Sequence, residues 1–257
     1  MTAKMALVRR PSPKLADGIV THIERQPIDL DHAFEQWNGY LATLENAGWE
    51  LIHVVPEDSC PDGVFIEDTV VMFGNIAVLT RPGAEARRAE VASVRDHVRN
   101  LGYRFRAIEA PGTLDGGDVL KVGRTVYVGH GGRTNGQGIR QLRGILHPFG
   151  YRVIAVPTSS VLHLKSAVTA LPDGTVIGYQ PLVDVPSLFP HFLPVPEESG
   201  SHVVDLGEDR LLMAAGCDRS VALLRGLGYE VVQVDISEFE KLEGCVTCLS
   251  VRLRTAP

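Results

Sequence analysis

Several residue types are scarce in this 257-residue chain, and each scarcity removes a class of function. Cysteine occurs four times, at Cys60, Cys217, Cys245 and Cys248, too few for a secreted disulfide scaffold of this length, so free thiols in a reducing compartment are expected. No second Cys-x-x-Cys accompanies residues 245–248 and no His-x-x-x-His exists to complete a zinc site. No apolar run of roughly 18 residues is present to cross a bilayer, and the N-terminal stretch lacks a secretory core, which leads us to expect a soluble cytoplasmic protein without a membrane partner. Basic residues do not dominate: the formal charge of -6 argues against nucleic acid as a partner. A complete dinucleotide fingerprint and a phosphate-loop lysine are both missing. What is left, at 44% hydrophobic residues, is an ordinary globular chain able to bury one large core or two modest ones.

Aromatic residues make up only 6%, yet four of them follow glycine in one recurring context. Gly48-Trp49, Gly102-Tyr103, Gly150-Tyr151 and Gly228-Tyr229 each close a segment of helical periodicity (Ala33 to Asn46, Ala84 to Leu101, Gly138 to Phe149, Arg219 to Leu227) and each lead into a β-rich run. A degraded unit at Leu182 to Leu193, followed by Pro194-Val195-Pro196, brings the count to five. Runs such as Val70 to Phe73, Ile76 to Leu79, Val126 to Val128, Ala167 to Leu171 and Arg210 to Met213 supply further strands, so the unit reads strand, strand, helix, strand. Five such α/β units closing into a ring would form one domain spanning residues 1–257.

The loops after the Gly-aromatic strands hold the reactive residues. Asp115 and His163 each lie thirteen residues beyond their glycine, and Asp68 and Cys248 each lie twenty beyond theirs. That register places a carboxylate pair, an imidazole and a thiol around one axis. Alternation from Val246 into a strand reading Val251-Arg252-Leu253-Arg254 puts Thr247, Leu249, Val251 and Leu253 on one face and Cys248 on the other, with Val246, Ser250 and Arg252. Cysteine with histidine is a nucleophile and acid/base pair. Two aspartates beside a thiol raise its pKa, however, which suggests a cationic substrate whose charge favours the thiolate. A guanidinium fits, because carboxylates accept its N–H donors bidentately and its central carbon is electrophilic. Arg87 and Arg133, each near the start of a helix, could clamp a carboxylate at the other end of such a substrate.

With these residues in place, the chain resembles the dimethylarginine dimethylaminohydrolases, within the guanidino-modifying superfamily that includes arginine deiminases and amidinotransferases. The resemblance runs from about Ala6 to Leu253 and rests on Pro61 to Asp68, Thr80 to Ala84, Thr113 to Asp118, Arg133-Thr134-Asn135, Leu162 to Lys165 and Thr247 to Ser250. It implies a five-unit pseudo-symmetric α/β propeller and the hydrolysis of asymmetric dimethylarginine or monomethylarginine to citrulline and a methylated amine, without metal or cofactor. Carried over by motif, Cys248 would attack the guanidinium carbon to give a thiouronium, and His163 would protonate the departing amine and then activate water. Asp68 and Asp115 would hold guanidinium nitrogens, with Glu67 supporting Asp68 and Phe65 in the pocket wall. Arg87 and Arg133 would bind the carboxylate, Asp62 and a carbonyl near Leu242 the α-amine, and Ile19 at the tip of a mobile lid would cover the substrate. Some bacterial members carry glutamate where Asp115 stands, and the loop Glu198 to His202 lacks the Ala-Asn-Cys pattern expected there.

Three readings compete with this one. An arginine deiminase would differ only in its leaving amine, although those enzymes are usually longer. Cys245-x-x-Cys248 could be a redox dithiol, in which case alanine at Cys245 would abolish function. A non-catalytic repeat module could bind amino acids without producing citrulline. A homodimer stays open.

Overall fold

Gly48, Gly102, Gly150 and Gly228 take positive φ (81°, 85°, 74° and 96°), the left-handed conformation that ends a helix and that glycine adopts without a Cβ penalty. The structure, a computed structural model, describes residues 4–253; Arg254, expected to end the last strand, lies outside them. The helices closed by these glycines are α1 (Leu30–Asn46), α2 (Glu90–Asn100), α3 (Gly136–Leu146) and α4 (Asp218–Gly226). Their caps are local: the Asp29 side chain accepts the His32 amide ahead of α1, and Asn135 accepts that of Gly138 ahead of α3.

The described residues form β1 (Met5–Val8), β2 (Glu50–His53), β3 (Val70–Phe73), β4 (Ile76–Leu79), β5 (Arg104–Ala107), β6 (Val119–Val122), β7 (Thr125–His130), β8 (Arg152–Pro157), β9 (Val168–Ala170), β10 (Val176–Gly178), β11 (Phe192–Pro194), β12 (Val203–Gly207), β13 (Arg210–Ala214), β14 (Glu230–Val234) and β15 (Val251–Leu253). They sort into five three-stranded sheets with one pattern, an antiparallel pair followed by a parallel one: β3-β4-β5, β6-β7-β8, β9-β10-β11, β12-β13-β14 and β15-β1-β2. The last sheet unites the two ends of the chain, Met5 opposite Leu253 and Leu7 opposite Val251, and so closes the five-unit α/β propeller. Among the described residues no helix is long and apolar enough to cross a membrane.

Two expectations about local structure are corrected. The segment Leu182 to Leu193 is not helical; it forms single 3-10 turns at Gln180–Leu182 and Pro186–Leu188 before β11. Pro181, Pro186 and Pro190 remove the amide donors that an α-helix needs there. The alternation drawn from Val246 onward also fails, because residues 246–249 form a turn and the strand begins only at Val251. Val246 is buried with Leu249 instead of facing away from it. Tyr40 of α1 braces this turn from below, its hydroxyl donating to the Val246 carbonyl at 2.9 Å and lying 2.7 Å from Ser250 Oγ.

Candidate active site

In each sheet a tight turn precedes the first strand: Ile66–Thr69 before β3, Gly116–Asp118 before β6, Leu164–Ser166 before β9, Ser199–Ser201 before β12, and the cysteine turn before β15. Four of these five bring Asp68, Asp115, His163 and Cys248 together, all buried. The common register in the sequence thus has a structural cause. Ile19, Asp62, Phe65, Asp68, Arg87, Arg133, His163, Leu242 and Cys248 line one pocket, joined by Leu162, Glu243 and Gly244, which the sequence reading did not assign.

His163 stands between two carboxylates. Its Nε2 donates to Asp115 Oδ2 at 2.9 Å, and its Nδ1 lies 3.9 Å from Asp68 Oδ1. Burial alone pulls the imidazole toward neutrality, but Asp68, the Asp115 hydrogen bond and Asp118 outweigh it and raise the pKa to about 9. The ring is therefore a cation at neutral pH, and with Nε2 committed, Nδ1 is the nitrogen free for proton transfer. Asp68 accepts Arg87 Nη1 at 2.6 Å and the Gly117 amide at 2.8 Å; despite burial, His163 and Arg87 hold its carboxyl far below the usual range.

Asp115 does not face the pocket. Fully buried behind the imidazole, it spends Oδ2 on His163 and Oδ1 on the Gly83 amide at 2.8 Å, so it orients the ring instead of holding a guanidinium nitrogen as expected. Glu67 likewise does not support Asp68. It accepts Thr247 Oγ1 at 2.9 Å, pairs with Lys165 at 2.5 Å and Arg252 at 3.4 Å, and its amide donates to the Cys248 carbonyl at 3.2 Å, which ties it to the cysteine turn. Arg87 is engaged more than a surface clamp would be: Nε and Nη2 bond Glu90 at 3.0 and 2.9 Å, and Nη2 also meets the carbonyls of Asp62 and Phe65. One Nη1 hydrogen is left without a partner among the described residues. Glu90, Lys165 and Arg252 were assigned no role from the sequence because nothing in their local pattern distinguishes them from solvated helix or strand charges.

Cys248 and Cys245 sit 3.2 Å apart, sulfur to sulfur. The hydrogen bond to Cys245, burial, and the negative charges of Glu67 and Asp68 push the Cys248 thiol up, as the acid-rich surroundings implied. The segment expected to carry the tip of a lid meets the pocket at Ile19, which is among its lining residues. Asp62 accepts the Ile19 amide at 3.1 Å, Glu243 accepts the amides of Thr21 and His22, and Arg133 reaches Thr21 Oγ1 at 3.3 Å. Donor atoms of Asp68, Asp115 and His163 come within 4.8 Å of one another, but each is already turned to Arg87, Gly117, Gly83 or a shared proton, an arrangement that handles protons more readily than a cation.

Close backbone approach holds these turns together. A Cβ on Gly116 would overlap the Glu67 carbonyl oxygen, and one on Gly117 would come within 2.6 Å of His163 Nδ1. Gly116→Ala is expected to cost about 3 kcal/mol or more, because backbone and not a flexible side chain must yield. Urea unfolding of the variant checks this; a midpoint equal to that of the parent would show that the turns can separate freely.

No protein-family model matches the chain. A curated N(G),N(G)-dimethylarginine dimethylaminohydrolase from Streptomyces coelicolor is 65% identical over 99% of this chain and 98% of its own length. Another with that name, from Pseudomonas aeruginosa, is 35% identical over 97% of this chain and 99% of its own. The crystal structure of a Pseudomonas aeruginosa serine mutant complexed with citrulline superposes with a TM-score of 0.90 at 32% identity, covering 98% of this chain and all of that one.

Proposed function

The chain belongs to the dimethylarginine dimethylaminohydrolases, and from that premise we propose that it hydrolyses Nω,Nω-dimethyl-L-arginine, and the monomethyl form, to citrulline and the methylated amine. The observation that carries the reading is the convergence on one pocket of Cys248, His163 and Asp68, with Asp115 fixing the imidazole from behind.

The substrate guanidinium donates to Asp68, and its positive charge offsets the acids that keep Cys248 protonated. Cys248 releases its proton to solvent as the guanidinium arrives, and its Sγ then attacks the central carbon. His163 gives its Nδ1 proton to the departing dimethylamine, leaving an S-linked thiouronium; the neutral ring next takes a proton from water, which attacks the same carbon and releases citrulline and the thiol. Asp115 keeps the Nε2 hydrogen and the orientation of the ring through both steps. At the other end, Arg133 and the remaining Nη1 hydrogen of Arg87 hold the carboxylate, while Asp62 and the Leu242 carbonyl hold the α-amine. Ile19 closes over the substrate and excludes water until the amine has left. The ring of five units acts as one catalytic domain, in a reducing cytoplasm where the four thiols stay free.

Citrulline formation from dimethylarginine, monomethylarginine and arginine, compared as kcat/KM, tests the assignment. The methylated substrates are expected to exceed arginine by about tenfold or more, a difference of about 1.4 kcal/mol in transition-state binding. Arginine as the better substrate would make the protein a deiminase, and no citrulline from any of them would leave only a binding module.

A further inference from the structure

The mechanism has no use for Cys245, although it is buried against the nucleophile. Its sulfur lies 3.2 Å from Cys248 Sγ and 3.3 Å from Thr247 Oγ1, and both cysteines are free. The Cys248 amide donates to the Cys245 carbonyl at 3.0 Å, a chain reversal that keeps the two Cα atoms within roughly 7 Å, the span a disulfide bridges. Only Cys248 lines the pocket, so an oxidant reaches that sulfur first. Cys60 contacts the Ala86 carbonyl and Cys217 sits in a different apolar cluster, so neither is placed to intervene.

From this juxtaposition we infer that Cys245 is a resolving thiol, which captures an oxidised Cys248 as an intramolecular disulfide when a hydroperoxide enters the pocket. The steps balance. The small ionised fraction of Cys248 attacks one peroxide oxygen and the O–O bond breaks, giving Cys248 sulfenic acid and hydroxide, which takes up the proton the thiol had released and becomes water. Cys245 then attacks the sulfenic sulfur, the S–O bond breaks, and the departing hydroxide leaves as a second water with the Cys245 proton. Two thiols have been oxidised by two electrons and the peroxide reduced to two waters. A small dithiol reverses the bond by exchange, whereas without Cys245 the sulfenic acid is open to further, irreversible oxidation. The inference rests on the nucleophile assigned above, but its readout needs no turnover.

The full-length protein treated with hydrogen peroxide, then mapped by mass spectrometry without reduction, should lose two hydrogens and yield a linked peptide joining Cys245 and Cys248. Dithiothreitol should restore both mass and citrulline formation. Cys245→Ser and Cys245→Ala, at the same exposure, should accumulate added oxygens on Cys248, form a dimedone adduct where parent protein forms none, and recover far less activity. Oxygen addition at Cys248 in the parent protein without linkage, or linkage of Cys248 to Cys60 or Cys217, overturns the inference. Parent protein that makes no citrulline before treatment but forms the disulfide on exposure to peroxide would refute the proposed hydrolysis and leave the thiol chemistry standing.

Discussion

Cys248→Ser is expected to lower kcat for dimethylarginine by about 10⁴-fold or more while substrate affinity stays within about tenfold of the parent value. The turn that carries the side chain is set by backbone bonds which serine keeps: the residue 248 amide to the Cys245 carbonyl, and the Glu67 amide to the residue 248 carbonyl. Geometry is thus preserved, and the loss falls on nucleophilicity. The Cys245 hydrogen bond, burial, Glu67 and Asp68 push the thiol up, so a bound cation favours its ionisation; a hydroxyl, far less acidic, gains too little from the same charge. The binding roles proposed above fall to Asp68, Asp62 and Arg133, which the substitution does not touch. Steady-state citrulline assays and calorimetric titration with dimethylarginine separate the two quantities. A variant within about tenfold of the parent in kcat would remove Cys248 from the chemistry.

The parts of this site that were legible in the sequence are those written as local spacing. Glycine before an aromatic marked four helix ends because a left-handed residue and a following strand leave a short, fixed signature, and the thirteen- and twenty-residue offsets located four of the five turns around the axis. The fifth unit was expected as a degraded copy at Leu182 to Leu193, and its helix is absent because the prolines within that segment carried the decisive information. Alternation misplaced the Cys248 turn for a related reason: a period of two persists in the letters through a stretch whose backbone reverses. Long-range pairing was not legible at all. That Asp115 stands behind His163 and that Glu67 holds Thr247 and Lys165 are decided by which turns of the ring abut, over separations of 48, 180 and 98 residues, while Glu90 fills the Arg87 guanidinium from 3 residues away. The last of these is local, yet an i,i+3 pair of this kind on a helix edge usually faces solvent, and only its burial gives it significance.

The pair His163–Asp115 yields the second large effect. Asp115→Asn is expected to reduce kcat by about 10³- to 10⁴-fold, since an amide cannot accept from Nε2 with the same strength and can present its own N–H there, favouring the tautomer with the proton on the wrong nitrogen. The same substitution removes one of the influences that raise the imidazole to about 9. The parent enzyme should therefore lose activity as pH rises through about 9, where the general acid is deprotonated, and the residual activity of the variant should lose it at lower pH. Stability follows the same sign. A histidine whose folded pKa lies above its unfolded value of about 6.5 stabilises the native state fully below that value, and the contribution disappears as pH climbs through the folded pKa. Melting temperature in the parent should thus fall between about 6.5 and 9 by more than in Asp115→Asn, where the two pKa values lie closer together. Rate profiles and thermal melts over that window measure both consequences on the same samples. An alkaline limb that stays in place in the variant would mean that His163 owes its charge to Asp68 and Asp118 and that Asp115 serves only to hold the Gly83 amide.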